Sequence, residues 1–171
     1  MAAPTFGYAI EPLNAQHNRS EFSCGIESLD RYLLQQAGQD LRRRVAATFI
    51  LQDLDNQLIA GYYTLCATAI NLQDLPPQQV KKLPRYPVIP ATLLGRLAID
   101  ERYQGQGLGN FLLFDAFWRS LRSEVASYAV VVDAIDEKAS AFYQHHQFLP
   151  FPDQQQRLYL PMATIASMFE E

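Results

Sequence analysis

Apolar and polar residues trade places along this chain in several distinct rhythms, and the rhythms predict its elements. Phe6, Tyr8 and Ile10 alternate with other residues and stop at Pro12, which predicts a strand over 5–12 with one buried face. After a polar segment at 14–20, Ile26, Leu29, Leu33 and Ala37 recur at helical spacing, so a helix is expected from 26 to about 40. Residues 45–52 are rich in strand formers, Asp53-Leu54-Asp55-Asn56 reads as a turn, and 58–71 offers a longer strand, together an antiparallel hairpin. Five prolines fall between Leu72 and Pro90, so this stretch is read as a long ordered excursion with a short helical piece at 78–83. Such excursions often border functional sites, and a plain surface arm is the competing reading.

From Thr92 the rhythm changes to strand and helix in turn. A strand over 92–100 leads into a glycine-rich turn. Leu108, Phe111, Leu112, Ala116 and Leu121 then mark a helix that is apolar on nearly all sides. Residues 128–134 are almost continuously apolar, as in a strand buried on both faces. A helix over 137–146, a strand over 157–160 and a short helix over 163–169 complete the chain, and no internal repeat is visible. Strands first, then alternation, predict an α+β fold in which a mixed, mostly antiparallel central sheet is flanked by helices, with residues 1–171 forming a single domain.

The turn Gln104-Gly105-Gln106-Gly107-Leu108-Gly109-Asn110 carries the first chemical signal. Three glycines leave no side chain in the way, so consecutive backbone N–H groups can face an anion over the first turn of a helix. A nucleoside-triphosphate loop would end in Gly-Lys-Ser/Thr, and a dinucleotide fingerprint would carry a third glycine three residues after its second. Asn110 and Leu112 stand where those motifs need other residues. A turn that merely joins strand to helix is the bland alternative, and context has to decide.

Composition narrows the classes. The formal charge of −4 argues against a protein that coats nucleic acid over its whole surface. Six of the fourteen basic residues nevertheless gather in two short stretches, Arg42-Arg43-Arg44 and Lys81-Lys82 with Arg85. Cys24 and Cys66 are lone thiols in no redox or zinc spacing and read as small apolar filler without a disulfide. The start of the chain has no signal-peptide pattern and no apolar run nears membrane-spanning length, so a cytoplasmic protein with no membrane contact is expected. His17, His145 and His146 make no metal set, and the absence of Gly-x-Ser-x-Gly excludes a nucleophile-elbow hydrolase.

Arg96-Leu97-Ala98-Ile99-Asp100 followed by Gln104-x-x-Gly107-x-Gly109 resembles the acyl-CoA pyrophosphate loop of the GNAT N-acetyltransferases. Downstream, Asp136-x-x-Ala139-x-x-Phe142-Tyr143 with Phe148 resembles that superfamily's Asn-x-x-Ala-x-x-Phe-Tyr helix and the Gly-Phe that ends it. The two motifs cover roughly residues 92–151, with Asp136 standing in place of the usual Asn and Gln147 in place of the usual Gly. A narrower resemblance spans almost the whole chain. Phe22-Ser23-Cys24-Gly25, Leu29-Asp30-x-Tyr32-Leu33, Gly61-Tyr62-Tyr63-Thr64-Leu65, Leu94-Gly95-Arg96-Leu97-Ala98 and Val132-Asp133-Ala134 are similar to the acetyltransferase toxins of bacterial toxin-antitoxin pairs.

The resemblance implies an acetyl-CoA-dependent transferase acting on the free amine of aminoacyl-tRNA, with a cognate antitoxin as partner and a homodimer allowed. A protein lysine, a polyamine or another small amine is the alternative acceptor, and an acyl-CoA-binding domain without turnover is a third reading. It further implies that acetyl-CoA is bound by Leu97, Ala98 and Ile99 through a splayed strand's backbone, by Gln104, Gly105, Gln106, Gly107, Leu108, Gly109 and Asn110, and by Asp136 and Phe142. Tyr143 takes the general-acid position, a phenol of ordinary pKa about 10 facing a thiol of about 8.5. Arg42, Arg43, Arg44, Lys81, Lys82 and Arg85 are the candidate tRNA contacts. No metal is implied. Asp100, Glu101 and Asp133 are conceivable bases, for each of which a capping or surface role is the simpler reading. A free α-amine near pKa 8 needs a base less than a lysine near 10.4 does.

Overall fold

The structure is a computed structural model that describes residues 7–170, the side chain of Gln155 excepted; the start of the first expected strand, with Phe6, lies outside the described residues. Seven strands follow the order β1-β2-β3-β4-β5-β7-β6. They are β1 (Tyr8–Pro12), β2 (Ala47–Asp53), β3 (Leu58–Asn71), β4 (Val88–Ile99), β5 (Ala129–Asp133), β6 (Leu149–Phe151) and β7 (Gln154–Pro161). The pairs β1–β2, β2–β3, β5–β7 and β6–β7 are antiparallel, and β4–β5 is parallel over Thr92–Leu94. The mixed, mostly antiparallel α+β architecture is therefore the one expected. Two compact units make up the chain. One holds the chain up to Cys66 together with Gly95–Trp118, the other Ala67–Leu94 with the chain from Arg119 onward.

In the first unit the expected helix begins one residue late and ends two late. It is built as α1 (Glu27–Arg31), a π-helical turn (Tyr32–Gln36) and α2 (Ala37–Arg42). Its apolar face enters a core of Leu13, Phe22, Cys24, Tyr32, Leu33, Ala37, Ile50, Ile59, Tyr62 and Ala98. Leu33 is fully buried, and its truncation to alanine costs about 2–5 kcal/mol by lost transfer energy plus a cavity. Tyr32 and Tyr62 stack with ring centroids 6.4 Å apart, and the Tyr62 hydroxyl donates to the Leu29 carbonyl. The turn after β2 forms because Asp53 accepts from the Asp55 and Asn56 amides and from the Asn56 side chain, an Asx-type closure. At Gly61 a Cβ would stand 2.7 Å from the Ile99 side chain and 2.8 Å from the Ala98 carbonyl, so only glycine lets β3 lie against the end of β4.

In the second unit the excursion after β3 is ordered for a packing reason. Leu72, Leu75, Val80 and Leu83 join Ile70, Ile89, Ala129, Val131, Phe151 and Tyr159 in one apolar cluster. Its ends meet through Leu72 N–H donating to the Pro87 carbonyl, and its short helix α3 (Pro77–Val80) is tied by the Tyr128 hydroxyl to Gln79. β4 starts at Val88, four residues before the expected point, and includes Pro90, whose free carbonyl accepts from Tyr128 N–H. β5 is buried on both faces, Ala129–Val132 being fully inaccessible. β6 and the first part of β7 were not foreseen, because Pro150, Pro152 and a glutamine run give no alternation to read. Helix α4 (Leu108–Arg122) runs from the first unit into the second, and α6 (Met162–Met168) closes the chain.

Helix α5 (Glu137–His145) ends in a Schellman arrangement: Phe148 N–H donates to the Tyr143 carbonyl at 3.1 Å and Gln147 N–H to the Gln144 carbonyl at 3.1 Å. That geometry puts Gln147 at φ +74°, the left-handed region where a Cβ is strained. Gln147→Gly should therefore stabilise the protein by about 1 kcal/mol, a rise of about 2–4 °C in Tm. A thermal melt in which the glycine variant is no more stable than the parent would show that the strain is relieved some other way.

Candidate functional site

β4 delivers the chain to the glycine turn through a buried carboxylate. Asp100, 1% exposed, accepts from the Ser23 amide at 3.0 Å, from the Arg102 amide at 2.9 Å, and from the Arg102 guanidinium at 3.0 Å on each oxygen. Burial alone would push its pKa up. The hydrogen bonds from Arg102 and from the Ser23 and Arg102 amides outweigh that and hold the carboxyl below its ordinary range. Asp100 also caps the 3-10 turn Glu101–Tyr103. Next in line, the Tyr103 hydroxyl donates to Asp53 at 2.6 Å, and burial together with that carboxylate pushes the phenol up to about 12. Gln104 spends both amide protons on backbone, donating to the Cys24 carbonyl at 3.2 Å and the Ile99 carbonyl at 2.9 Å. Its side chain is thus a brace for the loop, and its backbone is what it can offer a ligand.

Beyond that stem the turn is open. Gly105 and Gly107 sit at φ +80° and +78°, and a Cβ at either would meet nothing within 4 Å. Backbone conformation rather than crowding therefore requires glycine there, and no neighbour fills the place of the missing side chains. Phe111 N–H donates to the Gly107 carbonyl, so the helix starts directly from the turn. Positive partial charge at the N-terminal end of a 15-residue helix then adds to the turn's own donors. The arrangement fits a diphosphate.

Helix α5 carries the second motif. Asp136 accepts from the Ala139 amide at 2.8 Å and caps the helix, so the residue that replaces Asn keeps an N-cap's task. Tyr143 is buried, with the Phe142 and Phe148 rings edge-on at 5.3 and 5.2 Å. Burial raises its pKa above the ordinary phenol value, with no charged group contributing. Its hydroxyl therefore stays protonated throughout the neutral range.

No family model matches the chain. Among curated relatives it is 30% identical over 169 residues to a probable toxin TacT of Sinorhizobium fredii, covering 93% of each chain. It is also 32% identical over 131 residues to a tRNA-acetylating toxin of Mycobacterium tuberculosis, covering 75% of this chain and 76% of that one. The chain belongs to the GNAT tRNA-acetylating toxin family. Among solved structures, a tyrosine-to-phenylalanine variant of KacT superposes with a TM-score of 0.89 at 29% identity, covering 95% of this chain and 99% of that one. AtaT in complex with acetyl-methionyl-tRNA gives 0.85 at 32%, with the same coverage. AtaTR bound to acetyl-CoA gives 0.84 at 31%, covering 96% of this chain and 99% of that one.

The remaining candidate residues of this family member divide cleanly. Arg42 lies in the last turn of α2, Arg43 is its C-cap and Arg44 follows at φ +60°; all three are exposed. Cations there also complement the helix dipole. Lys81, Lys82 and Arg85 are exposed on the excursion after α3. Leu97 and Ile99 are half-buried and Ala98 is buried. The Asp100 amide is already bonded to the Ala60 carbonyl. Of the conceivable bases, Asp100 is consumed by its clamp, exposed Glu101 accepts from the Ser23 hydroxyl, and exposed Asp133 lies 3.7 Å from Arg157. Cys24 and Cys66 are free thiols, and burial pushes Cys24 up to about 12, which makes it inert. Among the described residues no group of three His, Cys, Asp or Glu side chains is placed to hold a metal, and no helix is long and apolar enough to cross a membrane. Asp53, which anchors Tyr103 from fifty residues away, was not foreseen, since nothing local marks it as more than a turn residue.

Two outcomes follow from this geometry. Gly107→Asp, which adds a negative charge to the turn and a strained φ, should fold yet show no acetyl-CoA binding by calorimetry if the turn holds the diphosphate; unchanged affinity would remove the turn from the cofactor site. Asp100, whose folded pKa is depressed, contributes stability that is complete above its unfolded value of about 3.9 and drains away as pH falls through the folded value. Asp100→Asn should therefore lower stability at pH 7 and flatten the loss on acidification, measured by denaturant titration between about pH 3 and 7.

Proposed function

We infer that this protein is an acetyl-CoA-dependent N-acetyltransferase that acetylates the free amine of aminoacyl-tRNA and blocks translation as the toxin of a toxin-antitoxin pair. The observation that carries it is the two-motif constellation, an open glycine turn on a clamped stem and a buried, protonated Tyr143, in a family member similar over its full length to AtaT with its acetylated tRNA. AtaT is also seen with its antitoxin AtaR, which supports a cognate antitoxin here. We place the enzyme in the cytoplasm, where charged tRNA is, and propose that residues 1–171 work as one domain.

Each role is assigned from the residues present. The N–H groups of Gly105 to Asn110 hold the diphosphate, with Gln104 bracing the turn. Backbone groups of Leu97, Ala98 and Ile99 align the pantetheine arm and polarise the acetyl carbonyl, while Phe142 and capping Asp136 shape α5. Acetyl-CoA supplies the acetyl group as an activated thioester. The acceptor α-amine, near pKa 8, is about one-tenth deprotonated at pH 7, against less than about one part in a thousand for a lysine near 10.4, which matches a site without a free carboxylate base among Asp100, Glu101 and Asp133. As the C–N bond forms and the C–S bond breaks, the Tyr143 hydroxyl gives its proton to the departing sulfur, and the proton released by the acylated nitrogen restores the phenol. Arg42, Arg43, Arg44, Lys81, Lys82 and Arg85 are our candidate phosphate contacts.

The test is transfer by Tyr143→Phe on charged tRNA, scored by the mass of the released aminoacyl group, with lysine peptides and polyamines in parallel. The variant should keep its fold and acetyl-CoA affinity and lose about 10² to 10⁴-fold in kcat. For the parent, rate should climb with the amine's ionisation near pH 8. Because burial raises the Tyr143 pKa, its acid form persists, and no falling limb should appear below about pH 10. Wild-type turnover by the variant would remove Tyr143 from the chemistry. Preference for lysine peptides over charged tRNA would overturn the acceptor.

A further inference from the structure

Gly38 occupies the interior of the helical run 27–42, where glycine weakens a helix relative to alanine. Its surroundings give a reason for it. A Cβ at position 38 would lie 3.4 Å from Nη1 of Arg19 and 3.4 Å from Nη1 of Arg42, so two guanidinium groups converge on one bare stretch of backbone. The two nitrogens are separated by at most twice that distance. Arg19 reaches the notch because the π-helical turn Tyr32–Gln36 presents the Leu33 carbonyl, to which Arg19 donates at 3.2 Å. That bond uses one of five N–H donors and fixes the side chain, which is half-buried, while Arg42 is exposed. Among the described residues neither arginine has an acidic partner within 4.0 Å. Two like charges are thus held together with no carboxylate within 4.0 Å among the described residues, in a chain whose net charge is negative.

We propose that Arg19 and Arg42 clamp a single backbone phosphodiester of the tRNA substrate across the notch at Gly38, an assignment that rests on the tRNA-acetylating function. The chemistry suits a phosphodiester. Its two non-bridging oxygens each take charge-assisted bonds of about 2.8 Å, and two planar forks approaching from either side of a Cβ-free surface can supply them together. The anion relieves the repulsion between the guanidinium groups. A phosphate contact fixes position without reading sequence, so this clamp sets where the acceptor arm lies and leaves the choice of aminoacyl group to other residues. Arg42 was foreseen as a basic-stretch residue. Arg19 was not, since it stands 23 positions away in a polar segment and only the π-helical turn brings it over.

The experiment measures binding of a deacylated full-length tRNA by fluorescence anisotropy across a salt series, for the parent and for Arg19→Gln, Arg42→Gln, the double variant and Gly38→Ala. Glutamine at 19 keeps an amide donor for the Leu33 carbonyl. Each arginine variant should weaken binding about 10- to 100-fold, with acetyl-CoA affinity unchanged. Because one phosphate is shared, the double variant should lose less than the product of the single losses. Its salt slope should fall by no more than about 0.7–0.9, the value of one phosphate. Gly38→Ala keeps both arginines and favours the helix, so it should raise Tm while weakening tRNA binding, a combination that a structural role alone does not produce. Fully multiplicative losses, wild-type affinity in the variants, or loss of acetyl-CoA binding along with tRNA binding would each overturn the clamp. A parent protein that binds no tRNA at all would instead overturn the tRNA reading beneath it.

Discussion

A buried carboxylate must be met by donors or stay protonated, and at Asp100 the protein meets it with two backbone amides and the Arg102 fork. The consequence is geometric. Ser23 belongs to the loop ahead of α1, Arg102 to the 3-10 turn after β4, and one side chain holds both against the strand end. Arg102 also donates to the Glu21 carbonyl, so the loop is held at two points. Unmaking such bonds leaves buried donors unsatisfied at about 1–3 kcal/mol each, which is why the exit from β4 takes one direction and not a family of them. Everything on the cofactor side begins from that exit.

Rigid stem and open turn then divide the work. Tyr103 is tied to Asp53, and Gln104 to the Cys24 and Ile99 carbonyls, while Gly105 and Gly107 have nothing near the positions of their missing side chains. An anion site made of backbone amides works only if the amides are already aimed, because the entropy of ordering a floppy glycine loop would be charged against binding. Side chains on either side of the turn, rather than within it, do the aiming. The same economy holds on α5, where Asp136 and the strained Gln147 set the two ends of a helix whose buried Tyr143 has the Phe142 and Phe148 rings beside it.

Net acidity and a local basic cluster are reconciled by placement. The charge of −4 is an average over the chain, whereas arginines cluster at the C-terminal end of α2, where the helix dipole favours them and carboxylates are engaged elsewhere. Asp40, the nearest acid in sequence, is occupied by the Tyr32 hydroxyl and the Gln36 amide. Arg96 lies over the Tyr32 ring at 3.4 Å, a cation–π contact that covers the aromatic stack with charge instead of apolar surface.

Much of this was readable before any coordinates, because it depends on residues close in sequence. Periodicity gave the helices and most strands, and the spacing of Gly105 and Gly107 gave a tight turn, since left-handed backbone at a strand-to-helix junction is what glycine in that pattern means. The Ala139-x-x-Phe142-Tyr143 spacing gave a helix. Contacts between distant segments were not readable. Asp100 could have been a base; only folding shows it surrounded by donors from residues 23 and 102. Asp53 as the anchor of Tyr103, Gly61 as the seat of β4, and Arg19 drawn to Gly38 by a π-helical turn all join residues separated by 19 to 50 positions. Local sequence sets backbone preference and side-chain chemistry, whereas the pairing of a buried charge with its donors is decided by which segments the core brings together.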